Sequence, residues 1–225
     1  EATPRGVPQG GPLSPLLANI ALDPLDKELE RRGHCFARYA DDFLVLVKSA
    51  KAAGRVLASL TRFVEGRLDL VVNRTKSRCG PLKTCAFLGF QIGPRGQAVW
   101  TAKALARFKE RVREITRRSR GQRAQVVIDE LRRYATGWIN YFGISQTYTA
   151  AAELADWIRR RVRLYFWKQW KQPSTRRRHL LALGIPPGQA RMACASHKGY
   201  WRMSGNSILQ RALTNHRLLK WGVPD

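Results

Sequence analysis

Two short apolar runs, Cys35 to Arg38 and Phe43 to Val47, are separated by little more than an acidic pair, Asp41-Asp42. Strand-like runs joined so tightly have one economical solution, an antiparallel hairpin with its carboxylates at the turn. The flanking sequence extends this to an α+β fold. Ser14-Pro15 reads as a helix start, with the Ser14 hydroxyl as cap and Leu16, Leu17, Ile20 and Leu25 at helical spacing, and Gly33 reads as its stop. Ser49 precedes a second helix carrying Val56, Leu57, Leu60, Phe63 and Val64 on one face, and Leu68 to Val72 reads as a returning strand. Cys85 to Ile92 and Ala98 to Thr101 flank Gly93-Pro94-Arg95-Gly96, a turn signal, and are expected to form a second hairpin.

Beyond Trp100 the period becomes helical. Long helices are expected over 102–118, 123–142 and 150–171, a bundle. A smaller basic tail follows, broken at Pro173-Ser174-Thr175 and at Gly184 to Gly188, and ends in a short helix near 206–214. The expected organisation is therefore a sheet-and-helix region over 1–101, a helical bundle over 102–172 and a basic segment over 173–225.

Charge names the class of partner. Forty-one Lys and Arg oppose 16 Asp and Glu, a formal +25, and the simplest use of that imbalance is to neutralise nucleic acid. The first 100 residues hold 15 basic and 9 acidic groups, the remainder 26 and 7, so the second half is expected to be the stronger phosphate-binding face. Seven Trp and eight Phe speak for folded domains rather than a basic tail. The four cysteines lack paired spacing, which favours reduced thiols, and Cys194 with His197 is a single pair of zinc-type ligands without a second. No apolar run approaches the roughly 20 residues needed to cross a bilayer, so the expectation is a soluble, cytoplasmic protein without a membrane partner.

Adjacent carboxylates repel each other, and such a pair is best tolerated where solvent or a divalent cation screens it; phosphoryl transfer to a 3′-hydroxyl uses such cations. A bare Asp-Asp is common in turns, so its context decides. Upstream, Pro8-Gln9-Gly10-Gly11-Pro12-Leu13-Ser14-Pro15 sets two glycines before a helix start, where backbone can approach a nucleotide closely. Downstream lie Val72-Asn73-Arg74-Thr75-Lys76-Ser77 and Phe87-Leu88-Gly89-Phe90.

These four segments, in this order, resemble the motifs of reverse transcriptases. Leu131-Arg132-Arg133-Tyr134, Gly137 to Phe142 and Trp157 to Arg163 resemble domain X, the thumb of group II intron maturases. The resemblance implies an α+β palm, a helical thumb and a DNA-engaging tail. It implies two Mg2+ ions bound in part by Asp41 and, more weakly, Asp42, with Gln9, Gly10, Gly11, Tyr39 and Ala40 at nucleotide and template. It implies Lys76 at the triphosphate and Leu88 and Gly89 as primer grip. Arg159, Arg160, Arg163 and Lys168 crowd one helix with Trp157, Tyr165, Phe166, Trp167 and Trp170; they and Arg176, Arg177 and Arg178 are the candidate phosphate ligands. Most of the aromatics are expected in the core.

The implied partners are group II intron RNA, an RNA template with a DNA primer or target DNA, and deoxynucleoside triphosphates. The family's third Asp, which precedes the Gln-Gly motif, has no counterpart here. Asp23 and Asp26 follow that motif on the wrong element, and the sequence opens inside a motif at Glu1. The chain thus reads as a fragment, and these 225 residues alone are expected to bind RNA without extending a primer. These residues hold no Cys/His-rich segment of the kind found in family members with an H-N-H nuclease, so target cleavage by this chain is not expected. Rival readings are a splicing factor without polymerase activity, a retron or defence-type reverse transcriptase, and a basic structural RNA-binding protein, which would not predict these motifs in order.

Overall fold

The computed structural model describes residues 11–93, 95–117, 121–145 and 148–224. The chain divides into two compact units, Glu1–Gly96 and Gln97–Asp225.

The first unit opens with α1 (Ser14–Arg31). The helix includes Ser14, so the cap position falls on Leu13, whose side chain cannot cap, and the expected Ser14 cap gives way to a proline-led start. Gly33, at φ +67, closes the helix as its sequence suggests: Gly33 N-H donates to Glu30 O and His34 N-H to Leu29 O, a Schellman pair that only a left-handed residue permits easily. β1 (Cys35–Tyr39) and β2 (Asp42–Leu46) then form the hairpin. α2 (Ala50–Arg67) begins where Ser49 accepts from Ala52 N-H at 3.2 Å. Leu25, Leu29, Leu60 and Val64 form the buried core, with Phe36, Val45, Phe63 and Val72 packed around it.

Leu68 to Val72 is not a strand. Leu68 and Leu70 both donate their N-H groups to Val64 O at the end of α2, and Asp69 between them takes φ +53. Donors used to finish a helix are not free for a ladder. Cys85 to Ile92 also departs from one continuous strand: it divides into β3 (Ala86–Phe87) and β4 (Phe90–Ile92), with Phe87 opposite Phe90. Leu88 and Gly89, at φ +51 and +81, make the two-residue turn, the combination that primed hairpin turns require.

The second unit begins with β5 (Ala98–Trp100) and continues as helices. α3 (Ala102–Ile115) starts on a Thr101 hydroxyl that accepts from Ala104 N-H, and α4 (Ala124–Phe142) and α5 (Tyr148–Gln169) complete the expected bundle. The Pro-Ser-Thr step opens a helix rather than ending one: α6 (Pro173–Ala182) uses Pro173 in its first turn, where a missing N-H costs nothing. α7 (Pro187–Cys194), α8 (Tyr200–Ser204), α9 (Ser207–Ala212) and α10 (Asn215–Lys220) follow. Leu180, Met203, Leu209, Leu213 and Leu218 share one core with Phe108, Leu131, Tyr165 and Trp167, so the tail is built into the bundle. Among the described residues no helix is long and apolar enough to cross a membrane.

Candidate active site and nucleic-acid interface

The ladder runs from Cys35 opposite Leu46 to Tyr39 opposite Asp42, leaving Ala40 and Asp41 as the whole connection. Asp41 and Asp42 therefore stand side by side at the hairpin tip, both exposed, with Tyr39 also exposed beside them. Ala40 holds φ +52, a left-handed conformation that costs a residue with a Cβ.

One face of β1 turns inward, placing Phe36 in the core and Arg38 two residues on against α1. Arg38 gives Nε to Asp26 Oδ1 at 2.8 Å and Nη2 to Asp26 Oδ2 at 2.5 Å. Its Nη1 donates to Asn19 Oδ1 and to Ala40 O, each at 2.9 Å. The carboxylate of Asp26 raises the Arg38 pKa above its already high ordinary value, so this guanidinium is permanently charged.

Lys76 is exposed on a turn built by Asn73, whose Oδ1 accepts from Thr75 N-H at 3.1 Å, Thr75 Oγ1 at 2.7 Å and Lys76 N-H at 3.1 Å. Gly11 O accepts from Ser14 N-H at the entrance to α1, whereas Gln9 and Gly10 lie outside the described residues. Two adjacent carboxylates form an oxygen-only donor set, the type hard divalent cations prefer. Among the described residues no group of three or more His, Cys, Asp or Glu gathers to complete a metal site.

In the second unit several cationic side chains turn inward, while most of the described ones remain exposed. Arg163 is buried: Nε donates to Leu213 O at 2.9 Å and Nη2 to Asn215 Oδ1 at 2.6 Å. It joins α5 to the C-terminal helices and presents no phosphate-binding face, which corrects its reading as a surface ligand. Arg161 donates to Thr116 Oγ1, and burial pushes both Arg161 and Arg163 below the usual guanidinium pKa. Arg160 lies 4.1 Å from the Trp201 ring centroid and donates to Trp201 O and Ser204 Oγ. Arg176 donates to Trp170 O and covers Trp167 at 4.5 Å; Lys168 lies 5.4 Å from the Tyr200 ring. Arg159 pairs with Asp156 at 2.8 Å. Arg177 and Arg178 are exposed on α6. Trp167 and Trp170 are core residues, not stacking platforms.

Residues 2–92 match the family described as reverse transcriptase (RNA-dependent DNA polymerase), and residues 105–184 match the group II intron, maturase-specific domain. The chain therefore carries a reverse transcriptase region followed by a group II intron maturase-specific domain. Similar curated proteins include Protein YkfC of Escherichia coli (strain K12), 32% identical over 111 residues, a match covering 34% of this chain and 29% of YkfC. Retron Mx65 reverse transcriptase of Myxococcus xanthus is 39% identical over 79 residues, covering 33% of this chain and 18% of the relative. The chain thus spans less than a third of the length of either relative.

All of α4 to α6 and all but the first three residues of α3 fall within the maturase-specific match, and the β1–β2 hairpin falls within the polymerase match. Sequence reasoning passed over Arg38 and set Asp26 aside as a carboxylate on the wrong element. Asp26 is Arg38's partner, and the signal was an Arg at an inward-facing strand position. Tyr200 also went unremarked; it and Trp201 are partly exposed aromatics beside Arg160, Lys168 and Arg176, a combination suited to unpaired bases.

Proposed function

We propose that the full-length protein carrying this chain copies RNA into DNA and assists splicing of a group II intron RNA. One observation carries this reading: an exposed Asp41-Asp42 pair at a two-residue hairpin tip in a chain that continues into a maturase-specific domain. Asp41 is the first metal ligand and Asp42 the second, weaker one. Two Mg2+ ions, when bound, would activate the primer 3′-hydroxyl and stabilise the leaving pyrophosphate. Tyr39 and Ala40 border the nucleotide and template, with Gln9, Gly10 and Gly11 from the start of the chain; Lys76 neutralises the triphosphate; Leu88 and Gly89 bear on the primer. Arg177, Arg178 and the rims of Arg160, Lys168 and Arg176 face intron RNA or target DNA.

Primer extension on an RNA template tests the polymerase half: magnesium-dependent synthesis from deoxynucleoside triphosphates is expected, and its absence from the full-length protein sinks that half. The similarity to the retron enzyme supports a second reading, a retron-type reverse transcriptase. Retention and splicing of intron RNA separate the two, since only the maturase reading requires both.

A further inference from the structure

We propose that Arg38 is a positioning residue that sets the orientation of the Asp41-Asp42 pair, acting through the backbone of the turn. The inference rests on the reading of those carboxylates as metal ligands and extends it to the framework behind them. Arg38 is only 12% exposed and bridges two elements with one planar group. Asp26 and Asn19, seven residues apart, lie two turns apart on one face of α1, and together they receive both edges of the guanidinium. The remaining bond reaches Ala40 O. That carbonyl belongs to the peptide group whose nitrogen is Asp41's, so fixing it fixes the plane from which Asp41 departs.

The backbone shows why such a tie is needed. Ala40 at φ +52 carries a conformation that glycine adopts freely and alanine does not. A turn of this kind persists only when its surroundings hold it, and Arg38 is the side chain that does so by a direct hydrogen bond. A staple between strand and helix alone would need only the Arg38–Asp26 pair. The bonds to Asn19 and Ala40 O go beyond it. Lysine at position 38 preserves the charge beside Asp26 but offers a point cation in place of a fork, and cannot reach all three acceptors in this geometry.

The test uses the full-length protein and compares Arg38→Lys, Asn19→Ala, Arg38→Ala and Asp41→Ala in single-nucleotide addition. Arg38→Lys is expected to lower kcat by about ten- to a hundredfold, as small misplacements of reacting groups do. It should also raise the Mg2+ concentration giving half-maximal rate, while KM for the nucleotide stays within about twofold. Its melting temperature should move by less than about 3 °C. Asn19→Ala should show the same pattern more weakly. Arg38→Ala removes the staple as well, so if it fails to fold, the other two variants carry the decision. An unchanged kcat and Mg2+ dependence in Arg38→Lys, or a loss of rate that merely follows the unfolded fraction, overturns the positioning role. If Asp41→Ala retained wild-type synthesis, the metal-ligand reading would fall and this proposal with it; if Asp41→Ala abolished synthesis while Arg38→Lys did not change it, only the positioning role would fall.

Discussion

The two units of this chain handle charge and burial in opposite ways. The first is lightly basic and, among the described residues, closes on four buried side chains, Leu25, Leu29, Leu60 and Val64. It leaves Leu13, Leu16, Leu17 and Ile20 exposed along α1 and presents its chemical groups on short tethers. The second carries most of the net charge, yet closes, among the described residues, on a cluster of twenty-five buried side chains rich in aromatics, with several arginines drawn into the fold. Net charge is thus a poor map of phosphate contacts: a guanidinium can satisfy helix-end carbonyls and cover indole rings as readily as it meets a polyanion.

If that contrast holds, variants in the second unit should separate into those that change folding and those that change binding. The largest effect belongs to Phe108→Ala. Phe108 is buried between Trp138, at 4.6 Å between centroids, and Tyr134, stacked at 5.4 Å, and its loss should cost about 3–5 kcal/mol in denaturant unfolding. A loss below about 1 kcal/mol would mean the cluster repacks and is not a single core. Arg163→Ala comes next: it strands a buried Leu213 carbonyl, and about 2–3 kcal/mol of stability should go while RNA affinity per folded molecule is kept. Weakened binding at unchanged stability would restore Arg163 as a phosphate ligand.

Arg177→Ala and Arg178→Ala should do the reverse. Stability is expected to stay within about 0.5 kcal/mol. The slope of log affinity against log salt should become shallower by about one for each lost phosphate contact. An unchanged slope in both would move the interface off α6.

The smallest effect is a pH dependence. His179 stacks on Trp170 at 4.8 Å, and burial, then the neighbouring Arg178, holds its pKa below the ordinary 6.5. As pH falls below 6.5, the unfolded chain takes up a proton that the folded imidazole resists, so stability present above that value is lost on acidification. The melting temperature should fall less between pH 7 and pH 5 in His179→Gln than in the wild type. Identical profiles would show that this stack does not titrate.

The sequence made elements legible where a local signal and the tertiary structure agree. Gly33 as a stop, Ser49 as a cap and the tight β1–β2 connection each declare themselves within a few residues. Leu68 to Val72 was misread because apolar residues around a helix end look like a strand, and only the acceptor at Val64 O reveals where their N-H groups go. Cys85 to Ile92 reads as one strand because Leu rarely takes positive φ, so the turn at Leu88 is hidden behind its second residue, Gly89. At the candidate site, Asp41, Asp42 and Lys76 were visible as motif residues. The roles of Arg38, Asp26 and Asn19 were not, since they depend on a strand lying against a helix twelve to nineteen residues away in sequence. Arg163 illustrates the same limit in the second unit: a basic run does not say which of its members faces inward.

The most direct test of the contrast is made on the first unit's exposed acidic pair. Primer extension by the full-length protein on an RNA template, with Mg2+ supplied, should fall by about a thousandfold or more in Asp41→Ala, given the several kcal/mol that electrostatic stabilisation of charge contributes in such sites. RNA binding should be unchanged in the same variant. Synthesis at the wild-type rate in Asp41→Ala, or a matched loss of RNA binding, would contradict the assignment of catalysis to the hairpin tip and of binding to the helical unit.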